Sequence, residues 1–189
     1  MTAPTVDDRP RSGPPAWIAI LAVGGLVLGV LLIAAQTLGI GVGPAGPAAT
    51  VPPAGPAAQR THDEVASLLK ANSFQVQDPQ TEYRPGESPE LATVPRRVLQ
   101  AVIPSDANTG YVVVYELPTT ADADRVGRDF ANYLASGTGA IQYPRDAQFV
   151  IRRVGQTLVF FEYSPLADPD PEVARLAATL ATIGDPLTN

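Results

Sequence analysis

FVIRRVGQTLVFFEY, residues 149–163, consists of two apolar runs around Gly155-Gln156, and its reading decides the fold. A two-residue loop with glycine first suits a type II′ turn, whose twist matches that of the flanking strands. With the turn placed there, Ile151 pairs with Phe160 and Val150 with Phe161. Side chains alternate along a strand, so one face of the hairpin carries Phe149, Ile151, Leu158 and Phe160. The other face carries Val150, Arg152, Val154, Val159, Phe161 and Tyr163. Both faces are apolar, and helices on one side of a sheet cannot cover both.

Upstream, residues 97–103 and 111–116 read as two further strands joined by the turn-rich PSDANTG. A helix is expected at about 120–136, capped by Thr119 or Thr120, with Asp122 and Asp124 at its positive end. Val126, Phe130 and Leu134 form its buried stripe, and Gly137 stops it. Downstream, Asp170-Pro171 opens a last helix with the stripe Val173, Leu176, Ala177, Leu180 and Ile183. Before the strands, Thr61-His62-Asp63-Glu64 reads as a capping box for a short helix carrying Val65, Leu68 and Leu69. His62 is expected in its first turn as a solvated residue. Phe74 and Val76 suit a short strand, and the proline-punctuated residues 78–95 an ordered loop across the domain.

Residues 112–134 and 158–180 align with one another. Each places a glutamate, Glu116 or Glu162, at a strand end, and each then carries Val-x-Arg on a helix, at Val126 and Val173. This reads either as a tandem β-β-α duplication or as two units alike by composition. The duplication puts Tyr111, Val113 and Tyr115 on one face with Arg152, Val159, Phe161 and Tyr163. That aromatic face is either roofed by residues 61–95, through Val65, Leu68, Leu69 and Phe74, or left open as an interaction face. The roof is the expectation, since large bare apolar patches are rare. Arg152 would stack on a ring there or meet an anion. The fold class expected is α+β, a two-layer domain with about four antiparallel strands and about three helices.

Residues 17–40, WIAILAVGGLVLGVLLIAAQTLGI, carry no charge. As a helix they cover roughly 36 Å at about 1.5 Å per residue, enough to cross a hydrocarbon core. Arg9 and Arg11 precede the segment and no Lys or Arg follows until Arg60. The positive-inside rule therefore places the N-terminus in the cytoplasm and the domain outside. The organisation expected is a disordered cytoplasmic tail at 1–15, a transmembrane helix at 16–40, a Pro/Ala/Gly linker at 41–60, the domain at 61–185 and a short tail at 186–189. A cleaved signal peptide is the rival reading, which the length of the apolar run disfavours. Ala22, Gly25 and Gly29 line a GxxxG-type face that can support a weak homodimer, although such glycines are common in membrane helices.

The chain has no cysteine, one histidine and a formal charge of −6. Disulfides, thiolate sites and thiol catalysis are excluded, and a Ser/His/Asp triad has almost no material. The acidic balance argues against nucleic acid as a partner. Walker, GxGxxG, GxSxG and HExxH motifs are absent, and no cofactor or metal is implied.

The phrases YVVVYELP, ANYLASGTG and FVIRRVGQTLVFFEYSP resemble membrane-anchored or secreted extracytoplasmic domains of high-GC bacteria, over roughly residues 90–184. The resemblance implies no function and no site residues. The expectation is thus a membrane-anchored, non-enzymatic binding or interaction module with an envelope partner. The alternatives are an envelope hydrolase using carboxylates, where Glu116 and Glu162 would flank a site although solvated strand ends are the preferred reading, and a secreted domain released by cleavage.

Overall fold

The structure is a computed structural model that describes residues 53–79 and 82–187. The expected tail, membrane segment and most of the linker, with Ala22, Gly25 and Gly29, lie outside the described residues. In chain order the elements are α1 (Pro56–Ala71), β1 (Val76–Gln77), β2 (Arg96–Ala101), β3 (Tyr111–Glu116), α2 (Thr120–Ala135), α3 (Gly137–Ala140), β4 (Gln148–Val154), β5 (Thr157–Tyr163), α4 (Pro171–Leu180) and β6 (Asp185–Pro186). The strands form one antiparallel sheet in the order β1-β2-β3-β5-β4-β6. The described residues are α+β, with four helices on a six-stranded sheet.

The central hairpin turns as its glycine dictates. Gly155 has φ +58° while Gln156 keeps a negative φ, the combination of a type II′ turn. Ile151 faces Phe160 and Val150 faces Phe161 across the ladder. Both faces of the sheet are covered, each by its own helices, which makes three layers instead of the expected two. On the first face, Leu99, Ala101, Val112, Val114, Val159 and Phe161 pack against Val65 and Leu69 of α1 and Leu176 and Leu180 of α4. On the second, Val113, Tyr115, Ile151, Leu158 and Phe160 pack beneath Val126, Phe130 and Leu134 of α2. Leu91, in a single 3-10 turn at Leu91–Thr93, closes that second core.

Residues 61–95 therefore roof both faces. Their helix covers the first, as expected through Val65, Leu69 and Phe74. The strap that follows, residues 82–95, covers the second with Tyr83, Leu91 and Val94. A two-fold axis relating the antiparallel neighbours β3 and β5 would run perpendicular to the sheet and keep each helix on the same face. Since α2 and α4 lie on opposite faces, the resemblance between the two β-β-α units is not a symmetry of the fold.

The ends of the domain also differ from expectation. The first helix begins at Pro56, with Gly55 as its N-cap, so residues 56–60 belong to the domain and not to the linker. Thr61 is no cap: it lies inside α1, 4% exposed, with its hydroxyl 2.9 Å from that of Thr157. At the other end Leu187, expected in a tail, is 2% exposed in the second core, and its N–H donates to the Ile151 carbonyl at 3.2 Å. The other two long helices cap as their sequences direct. Thr119 accepts from the Asp122 N–H at 3.0 Å, and Asp170 from the Glu172 N–H at 2.8 Å.

Candidate functional site

The aromatic face expected to unite Tyr111, Val113 and Tyr115 with Arg152, Val159, Phe161 and Tyr163, roofed or open, does not assemble. Val112 pairs with Phe161 and Val113 with Phe160, so Tyr111, Val113 and Tyr115 lie on the second face. Arg152, Val159, Phe161 and Tyr163 lie on the first. Val113, Tyr115, Val159 and Phe161 are all buried. Arg152 neither stacks nor awaits an anion. Its Nε donates to the Ile183 carbonyl at 2.6 Å and its Nη2 to the Gly184 carbonyl at 2.7 Å, just past the end of α4. There a positive charge also meets the negative end of the helix dipole. The guanidinium that stacks on a ring is Arg175, 3.8 Å above Phe74.

Glu116 and Glu162 do not form a pair. Glu116, on the first face, accepts from the N–H groups of Ala57 and Ala58 at 3.4 and 3.1 Å, and so caps α1 across the chain. Glu162 faces the other way, opposite Phe149 and beside Tyr83. His62, expected in the first turn, lies further along α1 because that helix starts earlier. Its ring is mostly buried, with Nδ1 3.2 Å from Asp63 and Nε2 3.9 Å from Asp78.

What the fold does build is a notch of about 200 Å³ where β3 begins and β5 ends, lined by Asp106, Thr109, Gly110, Glu162, Ser164 and Asp168 among others. One wall is the loop between β2 and β3. Asp106 folds that loop on itself by accepting from the Asn108 N–H at 2.8 Å, an Asx turn. Gly110 returns the loop to the sheet at φ +80°, and a Cβ there would overlap the Ala101 carbonyl oxygen. The other wall is the turn after β5. Asp146 organises it, accepting from the Ser164 hydroxyl and the Leu166 N–H, both at 2.7 Å. Those two donors hold the Asp146 carboxyl below the usual carboxylate range. The Asp168 N–H donates to the Ser164 carbonyl at 2.7 Å, and Asp168 lines the notch. Its Oδ2 is buried without a hydrogen-bond partner.

Glu162 joins the notch to the strap. Its Oε1 accepts from the Tyr83 hydroxyl at 3.3 Å, and burial raises its carboxyl above the usual range. Tyr83 stacks on Tyr111, with ring centroids 4.3 Å apart and planes within 9°. Burial, then the charge of Glu162, pushes the Tyr83 phenol up. Farther along the strap, Glu87 accepts from Arg96 at 2.7 Å and from the Tyr115 hydroxyl at 2.8 Å. The Glu87 and Arg96 side chains are 5% and 8% exposed, a buried ion pair that pins the strap to β2.

Three carboxylates and no basic side chain line the notch. Among the described residues no three acidic or histidine side chains converge closely enough to hold a metal ion. The chemistry available is that of spaced carboxylates and hydroxyls, which attract and orient a cationic group. Asp106 lies in the turn-rich connector legible in sequence, but its meeting with Glu162 and Asp168 depends on β3 and β5 being neighbours. No protein-family model, curated protein or solved structure matches the chain.

Proposed function

We propose that this protein is a single-pass, membrane-anchored extracytoplasmic binding module, without catalytic activity, that receives a cationic group of an envelope partner in the acidic notch. The observation that carries the binding site is the orphaned Asp168 Oδ2, buried in a wall that also presents Asp106 and Glu162. A buried acceptor without a donor costs free energy that a ligand ammonium or guanidinium would recover. The chain enters the domain beside Glu116, at one end of β3, and the notch opens at Gly110, at the other end. The membrane anchor rests on the uncharged residues 17–40 with Arg9 and Arg11 before them.

Titration of the full chain in lipid nanodiscs with tri-arginine and with tri-glutamate, followed by NMR, tests the site. Tri-arginine shifts the amides of Gly110, Tyr163 and Ala167, and tri-glutamate does not. Asp168→Asn weakens the binding roughly tenfold, as removal of one hydrogen bond to a charged group would. Shifts scattered over the whole acidic surface, or none at the notch, would refute the proposal.

A further inference from the structure

Among the fastenings of the strap over the second face, which include Arg125 of α2 on Glu90, two are of opposite character. At Glu87 a carboxylate meets a guanidinium and a phenol. At Glu162 a carboxylate has one long hydrogen bond, from Tyr83, and among the described residues no cation acts on it. Phe149 lies directly across the ladder from it, and Tyr143 packs edge-on against Phe149 with centroids 5.0 Å apart. Across the notch it faces Asp106 and Asp168, which carry charge of its own sign. Tyr143 itself belongs to the same closure, since its hydroxyl donates to the Gly86 carbonyl of the strap at 2.6 Å.

We infer that Glu162 is a proton-operated latch on the 82–95 strap: protonated, it holds the Tyr83 end closed over the tyrosine-lined end of the sheet, and ionised, it loosens that end. Closing the strap takes the carboxyl out of water, which disfavours its charged form by more than the Tyr83 hydrogen bond favours it. Its proton affinity is accordingly raised in the closed state. Closure therefore gains stability at pH values below the range of an exposed carboxyl. That gain is lost as the pH rises through the raised value. Tyr83 and Tyr143, both pushed up by burial, stay protonated throughout and leave Glu162 to set the response. The Glu87–Arg96 pair keeps the rest of the strap in place, so the motion is confined to the Tyr83 end. The latch does not require the proposed ligand, although a cation beside Glu162 would favour its ionised form.

Hydrogen–deuterium exchange on the full chain in nanodiscs, from pH 4 to pH 8 and corrected for intrinsic rates, reads the latch directly. Peptides around Tyr83 lose protection as the pH rises, by up to about tenfold per pH unit, the limit for one linked proton. Peptides from β3 and β5 do not change. Glu162→Gln keeps an acceptor for Tyr83 and is neutral at every pH, so its strap stays at the acid-side protection. A wild-type profile that is flat, or that Glu162→Gln reproduces, overturns the inference. If the variant disturbs β5, NMR titration of the wild-type Glu162 carboxyl decides instead: an ordinary glutamate value overturns the latch, and a raised one supports it.

Discussion

Glu116 is a strand-end acid whose role is set by a helix more than fifty residues before it in sequence. Gly55 supplies no side chain to cap α1, and the helix N-terminus would be left with free donors. The Glu116 carboxylate takes two of them, with its negative charge at the positive end of the helix dipole. Glu116→Ala therefore lowers the stability of the domain by about 1–2 kcal/mol, the range of a lost helix cap. Urea denaturation followed by circular dichroism measures it, and an unchanged midpoint would show that water replaces the carboxylate without loss. Gly55 is part of the same device, since a Cβ there would lie 2.8 Å from the Glu116 Oε1. None of this is legible locally. In sequence Glu116 and Glu162 look equivalent, each closing an apolar strand before a helix, yet one points to α1 and the other to the strap. Arg152 is similar: an arginine among aromatics reads as a stacking residue until the end of α4 is known to lie beside it.

At the scale of elements, legibility follows how much of each element is specified within itself. The β4–β5 hairpin was readable because a glycine-first turn sets the register and the alternation confirms it. α2 and α4 were readable from their stripes and caps, and α1 from its stripe alone, since its cap is not Thr61. The face each helix takes was not. The run Tyr111–Glu116 is apolar at five consecutive positions, so alternation cannot say which residues face which layer. Only the pairing with β5 settles that Val112 and Val114 face α1 and α4 while Val113 and Tyr115 face α2. The same limit hid the site, because the notch needs β3 beside β5 before Asp106 and Asp168 can meet. The packing of α2 gives a test of the layered core. Gly127 sits where that helix touches the sheet, and a Cβ there would overlap the Leu187 Cδ1 and lie 2.8 Å from the Leu158 Cδ2. Gly127→Ala would gain about 1 kcal/mol of helix propensity. Overpacking two buried leucines costs about 1–3 kcal/mol, and with little room to shift the cost prevails. The expected net loss is about 1 kcal/mol, read as a lower denaturation midpoint at unchanged slope. Gly137→Ala, where a Cβ meets nothing within 4 Å, serves as the unaffected control.

For the whole molecule the decisive segment is residues 17–40. Among the described residues no helix is long and apolar enough to cross a membrane. Attachment by a spanning helix would therefore rest on that segment alone. Deleting residues 17–40 is expected to move the chain from the carbonate-resistant membrane fraction to the supernatant. The Glu116 cap, the Glu87–Arg96 pair and both cores are built entirely from residues of the folded domain, so the deleted chain should keep its denaturation midpoint. Two central arginines, as in Val27→Arg with Leu28→Arg, have the same effect for a different reason, each costing about 2.5–3.5 kcal/mol at the centre of a span. A chain whose mature mass lacks the N-terminal residues would instead mean cleavage and release, and the notch would then act on a free domain. A reporter active only outside the cytoplasm, fused after Asn189, separates the orientations: activity in the full chain and none after deletion of 17–40 is the expected pair. Activity without the segment would mean that export does not depend on it, and the anchored reading would fall.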